Sequence, residues 1–146
     1  FTDAATTVIV GKGSKSAERL IAVTADALRA GIAAVLPGAT TGDIGAAIQR
    51  VVEAAGFAVV RDMTGHGVGY AVHEPPRLPN FGRRGEGTRL FPGLVLAIEP
   101  MVIAGRNHAV QVLKDGWTVV AADPVLTAHM EHTVAVTEEG ARVLTA

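Results

Sequence analysis

No cysteine occurs among the 146 residues, which excludes disulfides and thiolate metal ligands and leaves the compartment open on that count. An excess of one charge is also lacking. Thirteen Lys and Arg face 14 Asp and Glu, with no basic run to neutralise a phosphate backbone or an anionic leaflet, so nucleic acid and membrane surfaces are not expected partners. Long apolar runs are missing as well: the stretch from Leu20 to Leu36 is interrupted by Asp26 and Arg29, and no basic segment followed by an apolar run opens the chain. Neither a membrane span nor a signal peptide is read. Phe1 stands where an initiator methionine would, which reads as a processed or truncated N-terminus.

What is present, 49% hydrophobic residues in 146, suits one domain with a packed core. Thr2 to Gly11 is rich in β-branched residues and stops at Gly11 and Gly13, predicting a first strand. From Ser14 or Ser16, apolar residues at Leu20, Ile21, Val23, Ala27, Leu28, Ile32 and Val35 keep helical spacing until Pro37-Gly38. Thr40 with Asp43 resembles a capping box, and Ile44, Ile48, Val51 and Val52 continue a second helix to Gly56. Beyond it come short β-rich runs at 57–60, 94–103, 109–113, 117–121 and 132–136. Glu74 to Gly93, broken by Pro, Gly and Arg, is expected to be a surface loop. Two helices followed by antiparallel-type strands predict an α+β fold with the helices on one face of a sheet.

Hard divalent metals take oxygen ligands with an occasional imidazole, so acids and histidines inside apolar strands are the informative residues. Asp3, Glu99 in LAIEPMV and Glu131 in AHMEHTVAV qualify, since a lone carboxylate there is costly unless paired, hydrogen-bonded or metal-bound. Strand alternation puts Asp3 beside Ala5, Glu99 beside Ala97, and Glu131 beside Thr133 and Ala135. The opposite faces carry Val8 and Val10, Ile98, and Met130, Val134 and Val136, expected to pack under the helices. Any one acid alone reads more readily as a strand-end residue paired with an arginine; three together favour a shared site. His66 sits in TGHGVGY, where Gly65, Gly67 and Gly69 let backbone approach the imidazole. A turn role is the plain alternative for His66 and for His73. His108 and His129 read as surface or strand-edge residues, His132 as a core or supporting residue, and Trp117 on its own as strand packing.

The motifs TGHGVG (64–69), VHEPP (72–76), LAIEPMV (96–102), DGWTVV (115–120) and AHMEHTVAV (128–136) together resemble the type I methionine aminopeptidases of bacteria. The resemblance covers nearly the whole chain. It implies the pita-bread fold, in which a curved antiparallel sheet with helices on one face holds a dinuclear metal site, and it makes residues 1–146 the C-terminal part of that catalytic domain. By motif position Asp3 resembles the bridging aspartate, His66 the imidazole ligand, Glu99 a ligand glutamate and Glu131 the bridging glutamate. His73 resembles the histidine that contacts the scissile amide, Trp117 a residue lining the substrate's way in, and Val72 a pocket position often aromatic in the family. The family's first aspartate ligand and its N-terminal half lie upstream of Phe1, so the 146 residues alone are expected to be inactive.

The implied activity is removal of the initiator methionine from nascent proteins and peptides in the cytoplasm, with transient contact to the ribosome as an accompanying expectation. Two divalent cations, Mn, Fe or Co with Zn also compatible, would be balanced by Asp3, Glu99, Glu131 and the upstream aspartate. A water held between two such ions is acidified towards a pKa of roughly 7 and becomes a hydroxide nucleophile, with Glu99 as proton shuttle. Prolidases and aminopeptidase P, the first alternative, carry an acid followed by Asp where this chain has Glu131-His132 and usually Gly at the position of Met101. Type II methionine aminopeptidases carry a large insertion, whereas 32 positions separate Glu99 from Glu131. A non-catalytic pita-bread binding module is the other alternative. It is the weaker one, because decay removes ligands first and all those testable here are present.

Overall fold

The computed structural model describes residues 1–146. Helix α1 (Lys15–Ala33) starts at Ser14, whose side chain accepts from the Ala17 N–H, and helix α2 (Thr41–Ala54) starts at Thr40 with the full capping box to Asp43. Those hydrogen bonds from the Thr40 backbone and hydroxyl hold the Asp43 carboxyl below its ordinary pKa. Ten short strands follow: β1 (Ala58–Val59), β2 (Thr64–Gly67), β3 (Glu74–Pro79), β4 (Val95–Ile98), β5 (Met101–Ile103), β6 (Val110–Val112), β7 (Val119–Ala121), β8 (Thr127–His129), β9 (His132–Thr137) and β10 (Gly140–Val143). They form an antiparallel five-stranded sheet in the order β10-β9-β4-β2-β3, a three-stranded sheet β1-β5-β8 and the hairpin β6-β7. The α+β class read from the sequence stands.

The core lies between the helices and one face of the larger sheet. Leu20, Ala27 and Leu28 of α1 and Ile44, Ile48 and Val52 of α2 are buried in one cluster with Leu96, Ile98, Val134 and Val136. Fully burying side chains of this size is worth about 1.5–3 kcal/mol each, which fixes the register of β4 and β9. Their other face is therefore set too. His66, Ala97 and Thr133 are register partners across β2, β4 and β9, forming one row on the side away from the helices.

Three expectations are corrected. Thr2 to Gly11 is extended but not a regular strand: only Ala5 bridges Glu131, because neighbouring rungs are made by the hydroxyls of Thr133 (to Asp3 N and O) and Thr7 (to His129 N and O). Val8 and Val10 are 70% and 93% exposed, not core, since the helices' apolar faces are occupied by Ile98, Val134 and Val136 and do not extend over the first ten residues. Finally, Glu74 to Gly93 is not wholly a surface loop. Its start forms edge strand β3, where missing proline N–H groups do little harm, and Leu78, Asn80 and Leu90 are buried.

Candidate metal centre

The run 94–103 breaks in two at Glu99-Pro100, with β4 entering the five-stranded sheet and β5 the three-stranded one. Proline has no N–H for the ladder, so the break falls there, and Glu99 occupies the junction of the two sheets. Glu131 occupies the matching junction between β8 and β9. Two carboxylates thus meet where the sheets diverge.

His66 reaches the same spot from β2. The β2–β3 register shifts between His66 and Gly67, a bulge that re-aims the side chain. Side chains would not fit beside it: a methyl on Gly67 would collide with the carbonyl of Pro75, and one on Gly65 with that of Ala97. The expectation that glycines let backbone approach His66 is met at both positions. His66 Nδ1 lies 3.0 Å from the Gly67 carbonyl, to which its N–H can donate, leaving the lone pair on Nε2. Nε2 faces Glu99 Oε1 at 3.4 Å and Asp3 Oδ2 at 3.9 Å. In that tautomer acceptor faces acceptor.

Ligand atoms of His66, Glu99 and Glu131 all lie within 4.8 Å of one another, and so do those of Asp3, His66 and His73. His66 and Glu131 are buried, and Glu131 Oε1 is buried with no hydrogen-bond partner. Burial first, then the charges of Glu99 and Asp3, push the Glu131 carboxyl up to about 7. A group of converging acceptors with a buried, unpartnered carboxylate oxygen lacks only positive charge, and a divalent cation fits that requirement.

The four sequence-assigned ligands fall in two groups that share His66, with Glu99 and Glu131 in one and Asp3 in the other. His73 joins them, its ring centroid 4.1 Å from that of His66, but unlike His66 it is exposed. Val72 is half-buried beside it. Trp117 is 88% exposed on the turn between β6 and β7, outside both groups of ligand atoms. His132, turned the other way, places Nδ1 2.9 Å from Thr145 Oγ1.

The reading of His129 as a surface or strand-edge residue needs correction. It does lie on an edge strand, yet its Nε2 is buried 3.2 Å from Glu99 Oε2. The interaction with Glu99 raises its pKa, with Glu131 and Asp3 adding to the effect. The signal was available, because His129 stands two residues before Glu131 on an extended stretch and shares its face.

Both raised pKa values predict how the metal-free protein responds to pH. Glu131 carries a proton up to about pH 7 when folded but loses it near 4.5 when unfolded, so its contribution to stability is complete below 4.5 and lost as pH rises through 7. His129 acts with the same sign, its contribution complete below 6.5 and lost above. Without metal, stability is expected to fall between pH 5 and 8 by on the order of 1–2 kcal/mol, allowing for solvent screening. Saturating divalent cation should reverse the trend, because metal binds deprotonated ligands. Thermal unfolding across that range checks it; a metal-free protein that became more stable towards pH 8 would contradict the crowding at Glu131.

Comparison with known proteins agrees with this geometry. The model of metallopeptidase family M24 matches residues 1–138. The chain is 51% identical over 118 residues to methionine aminopeptidase A of Synechocystis, covering 81% of this chain and 46% of that protein. The crystal structure of methionine aminopeptidase from Thermotoga maritima superposes with a TM-score of 0.95 at 46% identity, over 99% of this chain and 57% of that one. The prolidase from Pyrococcus furiosus shares the fold, at a TM-score of 0.74 and 24% identity over 99% of this chain and 37% of that one. These neighbours establish the pita-bread architecture for the chain. It spans about half the length of the curated relatives it matches.

Proposed function

The chain belongs to metallopeptidase family M24, and on that premise we propose that it is part of a metal-dependent aminopeptidase that removes methionine from the N-terminus of peptides and nascent proteins. In this reading residues 1–146 supply the C-terminal part of the catalytic domain. The observation that carries it is the convergence of His66, Glu99 and Glu131 acceptors within 4.8 Å, joined with 51% identity to a methionine aminopeptidase. A cytoplasmic location and transient ribosome contact belong to the same proposal. No helix of the structure is long and apolar enough to cross a membrane.

Asp3, His66, Glu99 and Glu131 would hold two divalent cations, with Mn, Fe and Co suited to the oxygen-rich set and Zn also compatible. When bound, such ions supply Lewis-acid charge that polarises the first peptide carbonyl and acidifies water. The remaining chemistry falls to side chains. His73, exposed beside buried His66, is open to substrate and would donate a hydrogen bond to the scissile amide or the developing oxyanion. Glu99, whose Oε1 faces the cluster, would carry a proton towards the leaving nitrogen. Trp117 would line the substrate's way in, and Val72 would line its pocket.

The full-length protein, loaded with Mn or Co, should release methionine from Met-Ala-Ser, leave its N-acetylated form intact, and leave Xaa-Pro dipeptides untouched. Cleavage of Xaa-Pro in preference to Met-Ala would replace the proposal with a prolidase-type activity. His73→Ala is expected to keep its metal and to lose about 10² or more in kcat, the usual cost of one oxyanion donor. Normal turnover by that variant would reduce His73 to a structural residue.

A further inference from the structure

Glu99 is held by more than the cluster it faces. Its main-chain carbonyl accepts from Asn80 Nδ2 at 3.0 Å, and Asn80 is completely buried. Its carboxylate lies between two imidazoles, with Oε1 3.4 Å from His66 Nε2 and Oε2 3.2 Å from His129 Nε2. The His129 backbone is in turn pinned in both directions by one hydroxyl: its N–H donates to Thr7 Oγ1 at 2.9 Å, and its carbonyl accepts from that oxygen at 2.8 Å. Cross-strand pairing of His129 with Met101 sets it two residues from Glu99 along the neighbouring strand.

We propose that His129 is a positioning residue for Glu99, its Nε2–H holding Oε2 so that Oε1 stays turned towards His66 and Glu131. The inference deepens the metal-centre reading and rests on it. His129 Nε2 is buried, and its ring stands off the ideal hydrogen-bond line, which leaves that nitrogen with no aligned partner. Glu99 Oε2 is the acceptor within reach. Ligation by His129 itself is the weaker assignment, because it is absent from both groups whose ligand atoms converge within 4.8 Å. A neutral imidazole with its proton on Nε2 and an imidazolium both donate from that atom, so the role does not depend on titration. Supporting hydrogen bonds of this kind fix the orientation and basicity of a ligand, and losing one typically costs about 10- to 100-fold in metal affinity.

The experiment compares full-length wild type with His129→Ala, His129→Gln and His129→Asn. Calorimetric titration with Mn²⁺ and Co²⁺, the visible spectrum of the cobalt form, and unfolding temperature are read side by side. Glutamine places an amide N–H near the position of Nε2, whereas asparagine is too short. His129→Ala and His129→Asn are expected to bind both metals about 10- to 100-fold more weakly, with an altered cobalt spectrum. His129→Gln should retain most of the affinity and the wild-type spectrum. Should alanine prevent folding, the Gln and Asn variants alone decide. Wild-type affinity and spectrum in His129→Ala or His129→Asn would overturn the proposal, as would a glutamine variant as weak as the asparagine one. A wild-type protein that bound neither metal would instead remove the metal-centre reading itself, and this inference with it.

Discussion

Replacing Glu131 with glutamine is expected to abolish tight binding of at least one divalent cation and to lower methionine release by about 10³-fold or more. Glutamine keeps the shape and removes the charge. Glu131 is 4% exposed, its Oε1 has no hydrogen-bond partner, and its carboxyl is pushed up to about 7 by burial and by Glu99 and Asp3. In the proposed centre Glu131 would serve both cations, so the loss of its charge would be felt at both. The same substitution should stabilise the metal-free protein near pH 8, where a buried carboxylate repelled by its neighbours becomes a neutral amide. This pairing of effects separates loss of the centre from misfolding, which would lower both. Metal counting after dialysis, beside thermal unfolding at pH 8, is the measurement. Two ions retained at wild-type affinity would refute the assignment.

The second large effect is expected from Gly67→Ala. Gly67 follows His66 at the bulge between β2 and β3, and an added methyl would meet the Pro75 carbonyl, backbone that has no freedom to rotate away. Two routes of relief exist, and both move the site. Pushing β3 outward displaces His73, which leads into that strand, while flattening the bulge turns His66 away from Glu99. Overpacking of this kind costs about 1–3 kcal/mol and at times more, so the variant should unfold several degrees earlier and hold metal weakly even where it remains folded. Gly56→Ala is the matched control: it too lacks a β-carbon, at a positive φ of 78°, but a methyl there meets nothing within 4 Å. Its cost should be backbone strain without loss of metal. Equal metal affinity in Gly67→Ala and wild type would show that the bulge does not aim His66.

The acids were legible as candidates because a charge in an apolar strand has few physical explanations; singly each read as a strand-end partner of an arginine, and only the three together, with the family motifs, pointed to a shared site. The capping box at Thr40 and Asp43 was equally plain, since it depends on local chemistry, whereas the first helix ends at Ala33, short of the expected stop at Pro37-Gly38. What stayed hidden depends on neighbours distant in sequence. Strand alternation puts His129 on the face of Glu131, but its contact with Glu99, 30 positions away, exists only once the two strands are folded together. Val8 and Val10 carry a strand's pattern, yet whether a helix covers them is a matter of tertiary packing. Pro75 and Pro76 disguised an edge strand, because both fall where the β2–β3 register shifts, between the pairs Gly67–Glu74 and His66–Arg77, so no rung of the ladder needs their N–H. Glu99 was placed within one strand, although Pro100 ends that strand and puts the carboxylate at the junction of two sheets.

In the proposed function this cluster holds metal for an aminopeptidase. Its most direct test is methionine release from Met-Ala-Ser by the full-length protein, stripped with a chelator and then titrated with Mn²⁺ or Co²⁺ in measured equivalents. No release is expected in the stripped protein, followed by a rise with added metal that levels once the site is filled, with Ala-Ser as the sole peptide product. Full activity in excess chelator, or no methionine released with Mn, Fe, Co or Zn, would contradict the proposal.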